Sequence, residues 1–233
     1  MPRVRQKVFC GSAEAVLQEK DSQYQHDTGD VIRRGRSSWP ARSVFVARKS
    51  VGSWPMSLTP PFNFQRFIDE HRHLLKPPVG NCEVYTDHEF VVMIVGGPNS
   101  RTDYHVDPGE EFFYQVEGDM TLRIIDEGKP RDVVIRQGDI FLLPAWVPHS
   151  PQRLENTVGL VIERRRRPGE LDAFEWYCEP CGQRLYREDL QLGSIVADLP
   201  PVFERYESKV EHRTCTACGW VMETRTEAAR KRA

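Results

Sequence analysis

The fold is written most plainly in two segments. The first is His105-Val-Asp-Pro-Gly-Glu-Glu-Phe-Phe-Tyr-Gln-Val-Glu-Gly118; the second is Gly138-Asp-Ile-Phe-Leu-Leu-Pro144, with His149 soon after. Each sets a short apolar run against a turn: the run that opens at Glu111 ends at Gly118-Asp119, and the run 140–143 starts after Gly138-Asp139. The same grammar extends to both sides. Strand-like runs at 90–95, 111–116, 120–125, 132–135, 140–143 and 158–163 are punctuated by Gly96-Gly97-Pro98, Gly118-Asp119, Asp126-Glu127-Gly128 and Gly138-Asp139. Many short strands with regular turns predict a mainly β domain, a sandwich or barrel.

Upstream the period changes. Asn63 is a good N-cap, and Phe64, Phe67, Ile68, His71 and Leu75 recur at spacings of three and four, predicting a helix that Pro77-Pro78 stops. His71 and His73 read as solvated helix-surface residues. Residues 1–55 carry ten Lys/Arg against five Asp/Glu and show no sustained period, so they read as a disordered extension. Met56 reads as the natural start, the preceding residues being translated upstream sequence. A targeting extension, the competing reading, is disfavoured by Glu14, Glu19, Asp21, Asp27 and Asp30. Downstream, Pro168-Gly169 marks a linker, giving a β domain over 56–167, a small module over 168–225 and a tail over 226–233.

Composition removes several function classes. Among 233 residues, 34 acidic side chains nearly balance 32 basic ones, and a pI near 6.4 is wrong for a domain that wraps nucleic acid. No apolar run approaches the roughly 20 residues of a membrane helix. The expectation is a soluble cytoplasmic protein with neither a nucleic-acid nor a membrane partner. Four of six cysteines stand in Cys178-Glu-Pro-Cys181-Gly182 and Cys215-Thr-Ala-Cys218-Gly219, a metal-site spacing rather than a secreted disulfide framework. Four thiolates suit a tetrahedral site for zinc or iron, with a structural role in a module too small to fold on its own core. Cys10 and Cys82 read as ordinary free thiols, and the run Arg164, Arg165, Arg166, Arg167 as a solvated linker.

The two opening segments together resemble the paired motifs of the cupins, which implies a double-sheet jelly-roll barrel. Within that fold His105, Glu111 and His149 are the candidate metal ligands. Two imidazoles and one carboxylate form a facial triad that leaves positions open on non-haem Fe(II), where a substrate and O2 can meet. The common first cupin motif has a second histidine where Asp107 stands here, and the common second motif has an asparagine where Arg153 stands. The first change opens a coordination position. The second supplies a guanidinium suited to a substrate carboxylate.

A closer resemblance lies in Arg101-Thr-Asp-Tyr-His-Val-Asp-Pro-Gly-Glu-Glu-Phe-Phe-Tyr-Gln115, Gly138-Asp-Ile-Phe-Leu-Leu-Pro144 and Pro148-His-Ser-Pro-Gln-Arg153. Phe62-Asn-Phe-Gln-Arg66, Leu74-Leu-Lys-Pro-Pro-Val-Gly-Asn81 and the paired cysteines extend it. Together they are similar to the 3-hydroxyanthranilate 3,4-dioxygenase family, whose bacterial and fungal members carry a rubredoxin-like C-terminal module. The resemblance implies Fe(II) on His105, Glu111 and His149, and O2 as co-substrate. It also implies a small aromatic carboxylate held by Arg101 and Arg153, Glu163 on the ring amino or phenol group, Asn81 in a pocket loop, no organic cofactor, and a homodimer. Two alternatives remain beside it: a non-catalytic metabolite-binding cupin, and a related dioxygenase acting on another aminophenol or hydroxybenzoate.

Overall fold

The structure, a computed structural model, describes residues 7–10, 13–16, 60–76, 80–85, 88–193 and 195–232. Thirteen strands appear among them. One sheet holds β1 (Lys7–Cys10), β2 (Ala13–Val16), β3 (Asn81–Glu83), β4 (Phe90–Gly96), β6 (Glu111–Glu117), β9 (Ile140–Leu143) and β11 (Val158–Arg164), in the order β2-β1-β3-β4-β11-β6-β9. The other holds β5 (Asp103–Val106), β7 (Met120–Asp126), β8 (Lys129–Ile135), β10 (His149–Arg153), β12 (Asp172–Tyr177) and β13 (Arg184–Leu190), in the order β13-β12-β5-β10-β7-β8. All their strand pairs are antiparallel. This is the double-sheet, mainly β architecture expected of a cupin.

Alternation along the strands builds the core. On β6, Glu111, Phe113 and Gln115 are buried while their neighbours are only partly so, and on β7 Met120, Leu122 and Ile124 face inward against exposed Arg123. Phe113, Leu122, Ile135, Leu143 and Val161 fill the space between the sheets. The helix α1 (Phe64–His71) starts where the sequence places it, with Asn63 Oδ1 accepting from the Arg66 amide at 2.8 Å. It lays Phe67 and Ile68 on Ile94, Val158 and Leu75. The helix ends at His71 and runs into a single 3-10 turn, ahead of Pro77 and Pro78, which lie outside the described residues. His71 is not solvated: it is 3 % exposed, its ring stacks on Phe67, and Nδ1 lies 2.7 Å from the Phe67 carbonyl.

Two further expectations are corrected. Cys82 is disulfide-bonded rather than a free thiol, and Cys10 is the residue in register with it across the β1–β3 pair. Within the expected extension, strands run over 7–10 and 13–16; its remaining residues lie outside those described. The second sheet also runs on past Pro168-Gly169, since β12 pairs with β5 and then leads into the C-terminal module. There Phe174, Trp176, Val202, Tyr206 and Met222 form a separate core. Its helix α2 (Ile195–Glu207) contains Pro200 and Pro201, residues that argue against a helix interior and leave it invisible to a reading of spacing.

Candidate active site

Strand register assembles the site. His105 on β5 stands opposite His149 on β10, and Glu111 on β6 stands opposite Glu163 on β11. Each pair shares a face, and the two faces meet inside the barrel. Glu111 Oε1 lies 2.9 Å from His149 Nε2 and 3.4 Å from His105 Nδ1. The three residues are 2 to 12 % exposed at the side chain.

The other nitrogen of each imidazole is already committed. His105 Nε2 donates to Asp172 Oδ1 at 2.8 Å, and His149 Nδ1 donates to the Val147 carbonyl at 3.0 Å. This carboxylate-or-carbonyl backing is how metal-bound histidines are oriented, and it leaves His105 Nδ1 and His149 Nε2 facing Glu111. Glu111 Oε1 is buried and, despite its proximity to both rings, has no hydrogen-bond partner. An orphaned carboxylate oxygen between two convergent ring nitrogens is a poor hydrogen-bond arrangement and a good cation site. The local potential agrees. Burial would push His105 down, but Asp172 and Glu111 outweigh it and lift the imidazole to about 10. Burial, then the charge of Glu111, pushes Glu163 up to about 8.

Two overlapping acidic groups, His105 with Asp107 and Asp172, and Asp107 with Glu111 and Glu163, also bring donor atoms within 4.8 Å. They already hold a cation: Arg166 reaches Asp172 Oδ1 at 2.5 Å, Asp107 Oδ2 at 2.9 Å and Glu163 Oε2 at 3.5 Å. Of these overlapping sets, the one formed by His105, Glu111 and His149 has no Lys or Arg among the described residues within ion-pair distance of Glu111, which makes it the candidate place for a metal. The run of four arginines is accordingly not a solvated linker. Arg164 is forked onto Glu170, Arg165 pairs with Glu83, and Arg166 is 8 % exposed at the side chain.

The anion side is less uniform. Arg153, four residues along β10 from His149, is 4 % exposed. Nη1 donates to Gln115 Oε1 at 3.0 Å, while Nε is buried without a partner, and burial lowers the guanidinium to about 10. A buried cation without a carboxylate costs several kcal/mol, on the order of 3–5. It is primed for an incoming anion. Gly159 makes room for it, since a Cβ there would lie 2.6 Å from Nη1. Arg101 is differently placed: Nε donates to Asp103 Oδ1 at 3.2 Å, and a second contact joins Nη2 to the same carboxylate. Its chain is pinned to β10, with Gln152 Nε2 donating to the Arg101 carbonyl at 3.0 Å. Asn81 opens β3 and shares a cross-sheet row with Val95, Gly159 and Gln115. It therefore belongs to the Arg153 end of the barrel and is not among the residues gathered around Glu111.

The second cluster brings Cys178, Cys181, Cys215 and Cys218 within 4.8 Å of one another, with Sγ–Sγ separations of 3.5 Å for Cys178–Cys218 and Cys181–Cys215. Tetrahedral metal–sulfur bonds of about 2.3 Å imply edges of about 3.8 Å, so the four sulfurs already stand near a tetrahedron. Gly182 and Gly219, each at φ +75°, turn the chain so that their amides donate to the Cys178 and Cys215 carbonyls. The two knuckles are alike.

Residues that no motif announced complete the picture. Asp172 and Phe174 back His105, the latter stacked on its ring at 5.0 Å, and Arg166, Gln115 and Gly159 support the carboxylates and Arg153. Only Gly159 left a trace, as a glycine interrupting an apolar strand.

Comparison with known proteins identifies the family. The family model for 3-hydroxyanthranilic acid dioxygenase matches residues 56–207. A 3-hydroxyanthranilate 3,4-dioxygenase of Burkholderia cenocepacia is 56% identical over 167 residues, 71% of this chain and 94% of that protein. One from Jannaschia sp. is 59% identical over 161 residues, 69% and 89% of the two chains, and one from Shewanella woodyi is 54% identical over 165 residues, 70% and 87%. The family model covers well over half of the sequence and each relative is matched along most of its length, so the chain belongs to the 3-hydroxyanthranilic acid dioxygenase family.

Proposed function

We propose that the protein is an Fe(II)-dependent ring-opening dioxygenase. It adds both atoms of O2 to 3-hydroxyanthranilate between carbons 3 and 4, giving 2-amino-3-carboxymuconate semialdehyde, the precursor that closes to quinolinate without an enzyme. The observation that carries this reading is the orphaned Glu111 Oε1 between His105 Nδ1 and His149 Nε2, each ring fixed from behind. Fe(II) held there supplies the open positions and the electron donation that O2 chemistry requires.

The chain's own residues do the rest. Arg153 takes the substrate carboxylate, exchanging an uncompensated buried charge for a charge-assisted pair, and Arg101 lends a second cation at the mouth. Glu163 faces the ring amino and phenol groups from the strand beside Glu111 and holds a proton there at Oε. Asn81 borders the Arg153 end. Barrel walls of Phe113, Leu143 and Val161 exclude water from the reacting edge. Orientation is the main contribution of such a site.

Three coarser matters follow. We place the enzyme in the cytoplasm, as a soluble metabolic dioxygenase; no helix among the described residues is long and apolar enough to cross a membrane. Ile140 and Leu142 are 67 % and 53 % exposed on edge strand β9, beside half-buried Phe112 and Tyr114, and this apolar margin suits a homodimer contact. The four-cysteine site takes zinc or iron in a structural role, because it would tie the chain just after β12 to the segment beyond α2, and these are the stretches whose Trp176, Tyr206 and Met222 share one core.

The test is anaerobic reconstitution with Fe(II), followed by oxygen uptake on adding 3-hydroxyanthranilate. One O2 consumed per substrate supports the reading; no uptake by a folded, iron-loaded sample refutes it. The other substrate class, an aminophenol or hydroxybenzoate without a correctly placed carboxylate, should turn over far more slowly if Arg153 is used as described.

A further inference from the structure

Arg166 stands at the centre of the carboxylates that surround the candidate metal site. Its side chain is 8 % exposed, and it makes a fork onto Asp172, with Nε 2.9 and 3.0 Å from the two carboxylate oxygens and Nη2 2.5 Å from Oδ1. Asp172 is wholly buried, and the same Oδ1 accepts from His105 Nε2. Nη2 also lies 2.9 Å from Asp107 Oδ2, two residues beyond His105, while Nη1 lies 3.5 Å from Glu163 Oε2 and donates to the Arg164 carbonyl at 3.1 Å. One guanidinium therefore touches three carboxylates from three separate strands and loops of the barrel.

We propose that Arg166 is a positioning residue for the metal centre: through Asp172 it fixes the His105 ring so that Nδ1 faces the ion. The inference rests on the assignment of His105, Glu111 and His149 as ligands. The physical reason is one of geometry. Asp172 can back His105 only while its carboxylate plane is held; a single contact to an imidazole leaves that plane free to turn, whereas a fork of three short contacts does not. A lysine would keep the charge but present one point where the guanidinium presents a plane. Arg166 also lies against Asp107 and Glu163, so the same guanidinium ties the backing of His105 to the carboxylates beside Glu111.

The experiment measures metal affinity at the triad with Co(II) in the full-length protein, reading the weak ligand-field bands of the nitrogen and oxygen site apart from the strong thiolate bands of the four-cysteine site. His149→Ala fixes the baseline by deleting a ligand. Arg166→Met is expected to raise the dissociation constant about 10- to 100-fold, the usual range for removing an orienting partner, with the thiolate bands unchanged. Arg166→Lys should recover only part of the loss. Asp172→Asn combined with Arg166→Met should be no weaker than the worse single variant, because both act through one hydrogen bond. Unchanged affinity in folded Arg166→Met, or independent effects of the two substitutions, overturns the proposal. If Arg166→Met does not fold, Arg166→Lys decides alone: a several-fold weaker site supports it and parental affinity overturns it. If instead His149→Ala binds as tightly as the parent, the ligand assignment itself is what fails.

Discussion

A methyl group at position 159 would stand 2.6 Å from Arg153 Nη1, 2.9 Å from Nη2 and 3.0 Å from Gln115 Oε1. The two guanidinium contacts are too short to persist and the third is tight, yet every atom concerned is the far end of a flexible side chain. Gly159 is also absent from the positive-φ residues, so alanine meets no backbone strain there. Gly159→Ala should therefore leave the barrel intact and displace the guanidinium. The stability terms nearly cancel: a side-chain hydrogen bond worth about 1 kcal/mol is lost, and glycine-to-alanine replacement in a compatible conformation returns about 0.4–1 kcal/mol. Substrate binding has no such offset. A charged hydrogen bond contributes about 1.5–3 kcal/mol; part of its Coulomb attraction survives a small shift, so the loss should lie near about 1.4 kcal/mol, a tenfold rise in KM. Because the carboxylate is remote from the reacting carbons, kcat should fall less than about threefold, the pattern of lost uniform binding. Initial rates of oxygen uptake against 3-hydroxyanthranilate concentration, with melting curves of the same samples, give both quantities. A KM within twofold of the parent, or a further KM rise when Gly159→Ala is added to Arg153→Met, would refute the placement of the carboxylate at Arg153.

Three other outcomes follow from the same contacts. Glu163→Gln should cut kcat by about 100-fold, the lower range for a positioned group that holds or moves a proton, while triad metal content stays at the parental level; loss of the metal would make Glu163 a ligand instead. Cys181→Ser should remove the second metal and loosen the Trp176–Tyr206 stack, seen as a red shift of tryptophan emission and easier proteolysis beyond β12; full metal retention would contradict the tetrahedral assignment. Hydrogen bonds from Arg72 hold the Glu117 carboxyl below the usual carboxylate range, so this pair stabilises the fold above the unfolded glutamate value of about 4.3 and its contribution fades as pH falls through the lower folded value. Both side chains are partly exposed, 44 % for Arg72 and 28 % for Glu117, which limits the effect to about 0.5 kcal/mol. Arg72→Ala should lower the melting temperature slightly at pH 7 and by less as the pH falls below the unfolded glutamate value; an equal deficit throughout would dissociate the effect from the ion pair.

The strands that were legible in the sequence are those whose buried face is apolar. The runs at 90–95, 111–116, 120–125 and 158–163 match β4, β6, β7 and β11 to within a residue at each end, and 140–143 is β9 itself. β10 and β5 escaped, and each carries a histidine of the site; β6 and β11 carry Glu111 and Glu163 yet keep enough apolar residues to be read. On β10, His149-Ser-Pro-Gln-Arg153, the inward residues are a candidate metal ligand, a proline and a buried arginine, so no apolar period exists to find. β5 offers only four residues, Asp103-Tyr-His-Val106, with the ligand among them. Function had replaced the hydrophobic signal at the positions where the sheet faces the reaction.

The same contrast separates ligands from their supports. A metal ion accepts few donor types, and two ligands on neighbouring turns of one motif keep a fixed spacing, so His105, Glu111, His149 and the two cysteine knuckles stand out in the bare sequence. A support is chosen by whatever the fold brings near. Asp172 lies 67 positions from His105 and meets it only because β12 pairs with β5, with Phe174 opposite the histidine. Arg166 sits in a run whose other members point to Glu170 and Glu83, so its charge gave no hint of burial. Yet a buried arginine joined to three carboxylates, one of them the backing of a ligand, constrains the site as tightly as the ligand spacing does. The ligands of such a centre can be read from local chemistry, while the side chains that aim them come together only after the two sheets have closed on each other.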